Sequence, residues 1–262
     1  MSVTCPIHLV QLAQRLVDAG GAAIRRYFRA PLTVDDKPDS SPVTQADREA
    51  ESIIRAILND QRPEDGVLGE EFGGKSLDSE YVWVIDPIDG TKSFITGRPI
   101  FGTLVALLHE GVPILGVIDQ PITKDRWIGA AGRPTTLNGV PTKVRPCAGL
   151  SAATLCTTSP DLFSDSERIA FQRLTAKTKI TIYGGDCYAY GLLASGFQDV
   201  IVESGLKLYD FAALAPVVTG AGGIITDWSG APLHAGSDGR VIASGDARLH
   251  AETLAVLHGH TR

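Results

Sequence analysis

The apolar positions of this chain change period several times, and the changes divide it into helices and strands. In residues 6–28, Ile7, Val10, Leu16, Val17, Ala23, Ile24 and Phe28 recur at helical spacing. That predicts an amphipathic helix weakened at Gly20 and Gly21 and stopped before Pro31. Residues 30–44 are rich in Pro, Asp and Ser, carry Lys37, and read as a loop. A second helix is expected to open near Thr44, with Ile53, Ile54, Ile57 and Leu58 on its buried side. Asp47 falls in its first turn, where Thr44 and Asp47 fit a capping box. Residues 67–69 form a short strand pattern ending in Glu70 and Glu71, and residues 82–85 read as a buried strand. Residues 101–109 and 114–120 predict an antiparallel hairpin, residues 126–130 a further strand, and Asn138-Gly139 a tight turn. Beyond residue 145 the types alternate. Strand patterns lie at 153–157, 180–183, 200–203, 223–226 and 241–243, and helical ones at 165–177, 188–195, 210–220 and 248–257. Such alternation favours an α/β arrangement with helices covering a sheet.

Composition narrows the class. The 262 residues are 44% hydrophobic and 21% charged, enough for a sizeable core and too apolar for global disorder. We expect two closely packed halves, an α+β half over residues 1–145 and an α/β half over residues 146–262. The net charge of −6 argues against a nucleic-acid binder that works by counterion release. Cys5, Cys147, Cys156 and Cys187 are far apart and form no CxxC pair, which disfavours a zinc site or disulfide framework. No apolar run reaches the roughly 18 residues a membrane span needs, and no signal-peptide pattern opens the chain. The expectation is a soluble cytoplasmic protein with no membrane partner.

The chemistry concentrates at Asp86-Pro87-Ile88-Asp89-Gly90-Thr91. Here a strand ends by presenting two acids beside the free N–H groups of a turn. Carboxylates bind hard cations, and a run of N–H groups binds phosphate. Glu70 and Asp210 also fall at element ends, so four acids are candidates for one site. Two like charges about 4 Å apart cost about 4 kcal/mol at an effective dielectric of 20. Convergence would therefore require cations or protonation, and oxygen-only ligands suit magnesium better than zinc. Spacing alone leaves the convergence open. Asp47 likewise keeps two readings, a helix-start acid or a member of the site.

The Asp86 to Thr91 block resembles the first signature of the inositol-monophosphatase superfamily. Tyr209-Asp210-Phe211-Ala212-Ala213, followed by Gly220-Ala221-Gly222-Gly223, resembles the second. Gly69-Glu70-Glu71 and Thr44-Gln45-Ala46-Asp47 fall where that family has its other active-site segments, so the resemblance spans nearly the whole chain in order. It implies the layered αβαβα sandwich of the inositol-monophosphatase and fructose-bisphosphatase type. It also implies a magnesium-dependent phosphate monoester hydrolase with two to three ions. By the resemblance, Glu70, Asp86 and the Ile88 carbonyl hold a first ion, and Asp86, Asp89 and Asp210 a second; a third, weaker one lies near Glu70. The N–H groups of Gly90 and Thr91 receive the phosphate. Glu70, with a Thr91 hydroxyl hydrogen-bonded to Asp47, orients and activates the attacking water. Lys37 lies in the loop that approaches the metals in relatives, although a solvated loop lysine is as good a reading. Relatives form dimers, so a homodimer is expected.

Several segments resemble the histidinol-phosphatase branch of that family: residues 101–108 and 116–121, Arg126-Trp127-Ile128-Gly129, and Gly185-Asp186-Cys187-Tyr188-Ala189-Tyr190. They imply histidinol phosphate as substrate and a place in histidine biosynthesis. That substrate carries an ammonium and an imidazole, so acids are expected around it, with Asp186 and Glu203 as the candidates. Asp186 also reads as a helix N-cap. Glu203 does not discriminate, since inositol phosphatases use an acid there to bind hydroxyls. The alternatives are an inositol monophosphatase, a nucleotide or sugar phosphatase, or a non-catalytic metal- or phosphate-binding module.

Overall fold

The computed structural model describes residues 4–36 and 42–259. Helix α1 (Ile7–Tyr27) runs unbroken through Gly20 and Gly21. A Cβ on Gly20 would stand 3.0 Å from Ile54 Cδ1, so the small residue lets α2 (Gln45–Gln61) approach closely. The segment between them is not all loop. Strands β1 (Val34–Asp36) and β2 (Pro42–Thr44) pair as an antiparallel ribbon, with Val43 buried beneath. Both strands of a ribbon are edges, which is where a proline without an N–H is tolerated.

The first sheet is built from β3 (Gly66–Gly69), β4 (Gly73–Lys75), β5 (Tyr81–Asp89), β6 (Gly102–His109), β7 (Val112–Gln120), β8 (Asp125–Ala130), β9 (Thr136–Leu137) and β10 (Val140–Pro141), with α3 (Thr91–Ile95) between β5 and β6. Its order is β10-β9-β8-β7-β6-β5-β3-β4, parallel only between β3 and β5. The predicted hairpin is β6–β7. Strand β4, a Gly-Gly-Lys segment, carries no apolar signal in the sequence.

The second half supplies β11 (Thr154–Thr157), α4 (Asp165–Thr175), β12 (Ile180–Tyr183), α5 (Asp186–Ala194), β13 (Val200–Glu203), α6 (Leu208–Phe211), α7 (Leu214–Gly220), β14 (Ile224–Thr226), β15 (Val241–Ser244) and α8 (Ala247–Leu257). Its sheet runs β12-β11-β13-β15-β14, parallel across the first three and antiparallel across the rest. The single helix expected over residues 210–220 is two, α6 and α7. Pro216 is the reason, because it has no N–H to bond back to Ala212 and is tolerated only in a helix's first turn. The helix therefore restarts at Leu214.

Alternation along β5 decides the layering. Trp83 and Ile85 pack with Leu9, Leu16, Ile54 and Leu58 of α1 and α2. Val82 and Val84 point to the opposite face, where Tyr190 and Leu193 of α5 and Val217 of α7 cover them. The same middle helices meet Cys156, Ile201 and Ala243 of the second sheet. Beyond that sheet, Leu155, Val200 and Ile242 pack on Phe171, Leu174 and Leu249 of α4 and α8. The result is the expected αβαβα sandwich. A Cβ on Gly116 or Gly129 would collide with the backbone at Ala213 or Pro216, so α7 lies directly on β7 and β8. Among the described residues, no helix is long and apolar enough to cross a membrane.

Candidate active site

Residues three apart on a regular strand point to opposite faces, so Asp86 and Asp89 would diverge if β5 stayed regular. It does not. The register with β6 shifts between Asp86 and Asp89, around Pro87, which cannot donate to the ladder. Thr103 Oγ1 donates to the Pro87 carbonyl at 2.8 Å and holds the bulge, and Ile88 N donates to Asp86 Oδ1 at 3.0 Å. The two carboxylates thereby gather on one side. Asp210 joins them from α6, bringing one carboxylate oxygen of each within 4.8 Å of the others. Asp210 does not begin its helix as expected. It is the third residue of α6, and its Oδ2 accepts from Lys207 N at 2.6 Å.

Glu70 lies beside this trio, close enough for its charge to act on Asp86. Burial, and then the charges of Glu70, Asp89 and Asp210, push the Asp86 carboxyl well above the usual range. Asp89 is pushed up likewise by burial and by Asp186 and Asp210, against the pull of a 2.5 Å hydrogen bond from Cys187 N. Buried acids that raise one another in this way are a set that a divalent cation would relieve. The trio offers only oxygen, with no imidazole or thiolate among the three, which fits magnesium better than zinc.

The Glu70 loop is held by a residue that sequence reasoning passed over. Glu51 is fully buried on α2, accepts from Glu71 N at 2.8 Å and Phe72 N at 3.2 Å, and pairs with Arg55 at 2.6 Å. It shares a helix face with Asp47, Ile54 and Leu58, and a charge on that apolar stripe was the available signal. Any side chain at Gly69 would run into the Glu51 carboxylate. Gly69→Ala is therefore expected to destabilise the fold by about 2 kcal/mol or more, the range of overpacked sites. A melting temperature within a degree of wild type would contradict this account of the loop.

One expectation needs correction. The Thr91 hydroxyl does not reach Asp47; it donates to the Ile88 carbonyl at 3.1 Å, the oxygen assigned by resemblance to a metal. Asp47 is drawn the other way by its own helix end. Its Oδ2 accepts from Thr44 N at 2.9 Å and Thr44 Oγ1 at 2.5 Å, completing the capping box. Asp47 Oδ1 is buried without a hydrogen-bond partner, and burial pushes the carboxyl up to about 7, with Glu71 and Glu70 adding to the effect. Lys37 lies outside the described residues. Gly90 adopts φ +89, and its N–H and that of Thr91 stand at the start of α3, where the helix itself supplies no acceptor.

The second-half acids are at hand. Asp186 is not an N-cap; that position is Gly185, and Asp186 opens α5 with its carboxylate turned to Ser93 Oγ at 3.0 Å. The Asp186 carboxyl is also raised, chiefly by burial, with Arg98 and Lys92 pulling the other way. Glu203 ends β13, buried, its Oε1 accepting from both N and Oγ1 of Thr158 at 2.9 Å. Its Oε2 is buried without a partner, and burial, with Asp186 and Asp210 nearby, pushes the carboxyl up to about 7.

A layered sandwich with acids gathered at the end of β5, beside the N–H groups of a turn, is the arrangement of a phosphoric monoester hydrolase. Residues 8–262 match the inositol monophosphatase family, and the chain belongs to it. It is 53% identical over 254 residues to the chloroplastic bifunctional phosphatase IMPL2 of Arabidopsis thaliana, covering 94% of this chain and 73% of that one. It is 38% identical over 257 residues to the histidinol-phosphatase of Mycobacterium tuberculosis, covering 95% and 97%. A solved structure of an inositol monophosphatase from Zymomonas mobilis superposes with a TM-score of 0.88 at 51% identity, covering 95% and 97%.

Proposed function

We propose that the chain hydrolyses histidinol phosphate to histidinol and phosphate. The observation that carries this reading is the placement of two further acids at the cluster: half-buried Asp186, whose charge acts on Asp89, and buried Glu203, on which the charges of Asp186 and Asp210 act. A cationic alcohol beside the phosphate would relieve them. The resemblance to histidinol-phosphatases agrees with it.

Asp86, Asp89 and Asp210 would hold magnesium, with Glu70 and the Ile88 carbonyl completing the ligand set for two to three ions. When bound, the ions supply charge stabilisation to the attacking and leaving oxygens. The N–H groups of Gly90 and Thr91 receive the phosphate oxygens. Glu70 orients the attacking water and takes up its proton. Thr91, anchored on the Ile88 carbonyl, fixes the turn between the acids and the phosphate, and Asp47, capping α2, lends its free oxygen to the water side. Asp186 and Glu203 receive the cationic end of the substrate. The same reading places the protein in histidine biosynthesis, in the cytoplasm, as a homodimer.

The unpartnered Glu203 Oε2 supports a second reading, because a buried acceptor suits a sugar or inositol hydroxyl as well as an imidazolium. A panel of phosphate esters with magnesium decides between them. We expect the highest kcat/KM on histidinol phosphate; a higher value on inositol monophosphate would reverse the assignment.

A further inference from the structure

Ser93 is 6% exposed and lies inside α3, yet its hydroxyl does not return to its own helix. A helical serine commonly points to solvent or bonds the carbonyl of the preceding turn. Ser93 Oγ instead donates to Asp186 Oδ2 at 3.0 Å, across 93 positions of chain. The receiving residue sits in an uncommon conformation: Asp186 has φ 43, in the left-handed region. Such outliers persist where surrounding contacts over-determine them, and three contacts do so here. Besides the Ser93 bond, Cys187 N donates to Asp89 Oδ2 at 2.5 Å and ties the start of α5 to the acid motif. The third is Gly90, on which a Cβ would lie 2.6 Å from Asp186 Oδ2, so only glycine lets the carboxylate rest there. The charged groups interacting with Asp186 are Lys92 and Arg98 from the α3 side, Asp89 from β5 and Glu203 from β13.

We propose that Ser93 is a positioning residue, holding Asp186 so that it reads a positive charge immediately beside the substrate's phosphate. The proposal rests on the reading above, in which the Gly90 and Thr91 N–H groups take the phosphate. Two anions held against one glycine repel unless a cation lies between them. Asp186 therefore discriminates against esters whose neighbouring carbons are neutral or anionic. It favours phosphate esters that carry an ammonium group a few atoms from phosphorus. Ser93 adds no binding contact of its own; it keeps the carboxylate from swinging toward Lys92 or Arg98.

The test compares histidinol phosphate with its deaminated analogue, the same ester with hydrogen in place of the amine. Wild type, Ser93→Ala, Ser93→Thr and Asp186→Asn are assayed with magnesium. We expect wild type to prefer the amine and Asp186→Asn to lose the preference. Ser93→Ala is expected to cut the ratio of kcat/KM values about tenfold, the scale of one charge-assisted hydrogen bond, mainly through KM. Ser93→Thr, which keeps the hydroxyl, restores it. A merely structural role for Ser93 would lower both esters together and leave the ratio at its wild-type value, and that outcome overturns the inference alone. A wild-type enzyme indifferent to the amine overturns it together with the assignment of Asp186 to the substrate.

Discussion

Asp86→Asn is expected to lower magnesium-dependent turnover by more than about a hundredfold, beyond the 10–100-fold loss typical of groups that merely support a metal ligand. The protein should stay folded. Asn keeps an acceptor oxygen for Ile88 N, the hydrogen bond that shapes the bulge. It also removes one charge from a group of buried acids that push one another's carboxyls upward. The metal-free variant is therefore expected to melt at or above the metal-free wild type. In wild type, magnesium at about 100 times its Kd should add about 2.7 kcal/mol to the folded state; in the variant that increment should vanish. Scanning calorimetry with and without the ion, alongside the assay, separates lost binding from lost folding. An unchanged magnesium-induced rise in Tm would remove Asp86 from the ligand set.

Glu203→Gln should flatten part of the pH dependence of stability in the metal-free protein. Burial, followed by Asp186 and Asp210, raises this carboxyl from 4.5 to about 7 against the hydrogen bonds from Thr158. Below 4.5 the folded and unfolded chains both carry the proton, and the contribution is fully present. Between 4.5 and about 7 the unfolded chain releases it while the folded chain retains it, so stability falls as pH rises. Above about 7 the loss is complete, at roughly 3 kcal/mol for this one group. Gln carries no titrating proton and still offers an oxygen to Thr158. Urea unfolding in chelator from pH 4 to 8 should show wild type declining across the window and the variant declining less, since Asp47 titrates in the same range. Parallel curves for the two proteins would show that Glu203 keeps its unfolded-chain proton affinity in the folded protein.

Much of the first half was legible because its signals are local. The α2 start could be read from Thr44 and Asp47, which complete their capping box within one turn. The β6–β7 hairpin could be read from two apolar runs around a glycine-containing turn. The segments without such signals were missed. Strand β4 is Gly-Gly-Lys, and its pairing depends on β3 alongside it. The break between α6 and α7 was written in Pro216, but a continuous apolar pattern masked it.

The sequence by itself determined the chemistry on offer: acids near strand and helix ends, a turn with N–H groups beside two of them, and apolar periods that predict helices covering a sheet. Tertiary structure alone decided which of these meet. A bulge at Pro87, fastened by Thr103, brings Asp86 and Asp89 to one side although strand alternation would part them. Thr91 and Asp47 do not meet: each keeps a local partner three residues away, the Ile88 carbonyl and Thr44. Asp186, one residue beyond the Gly184-Gly185 pair, becomes a neighbour of Gly90 and Ser93 only when the middle helices pack between the two sheets. The reason is one of range. Propensity, capping and periodicity act within a few residues, whereas a buried carboxylate takes its partners and its proton affinity from whatever the fold sets within a few ångströms.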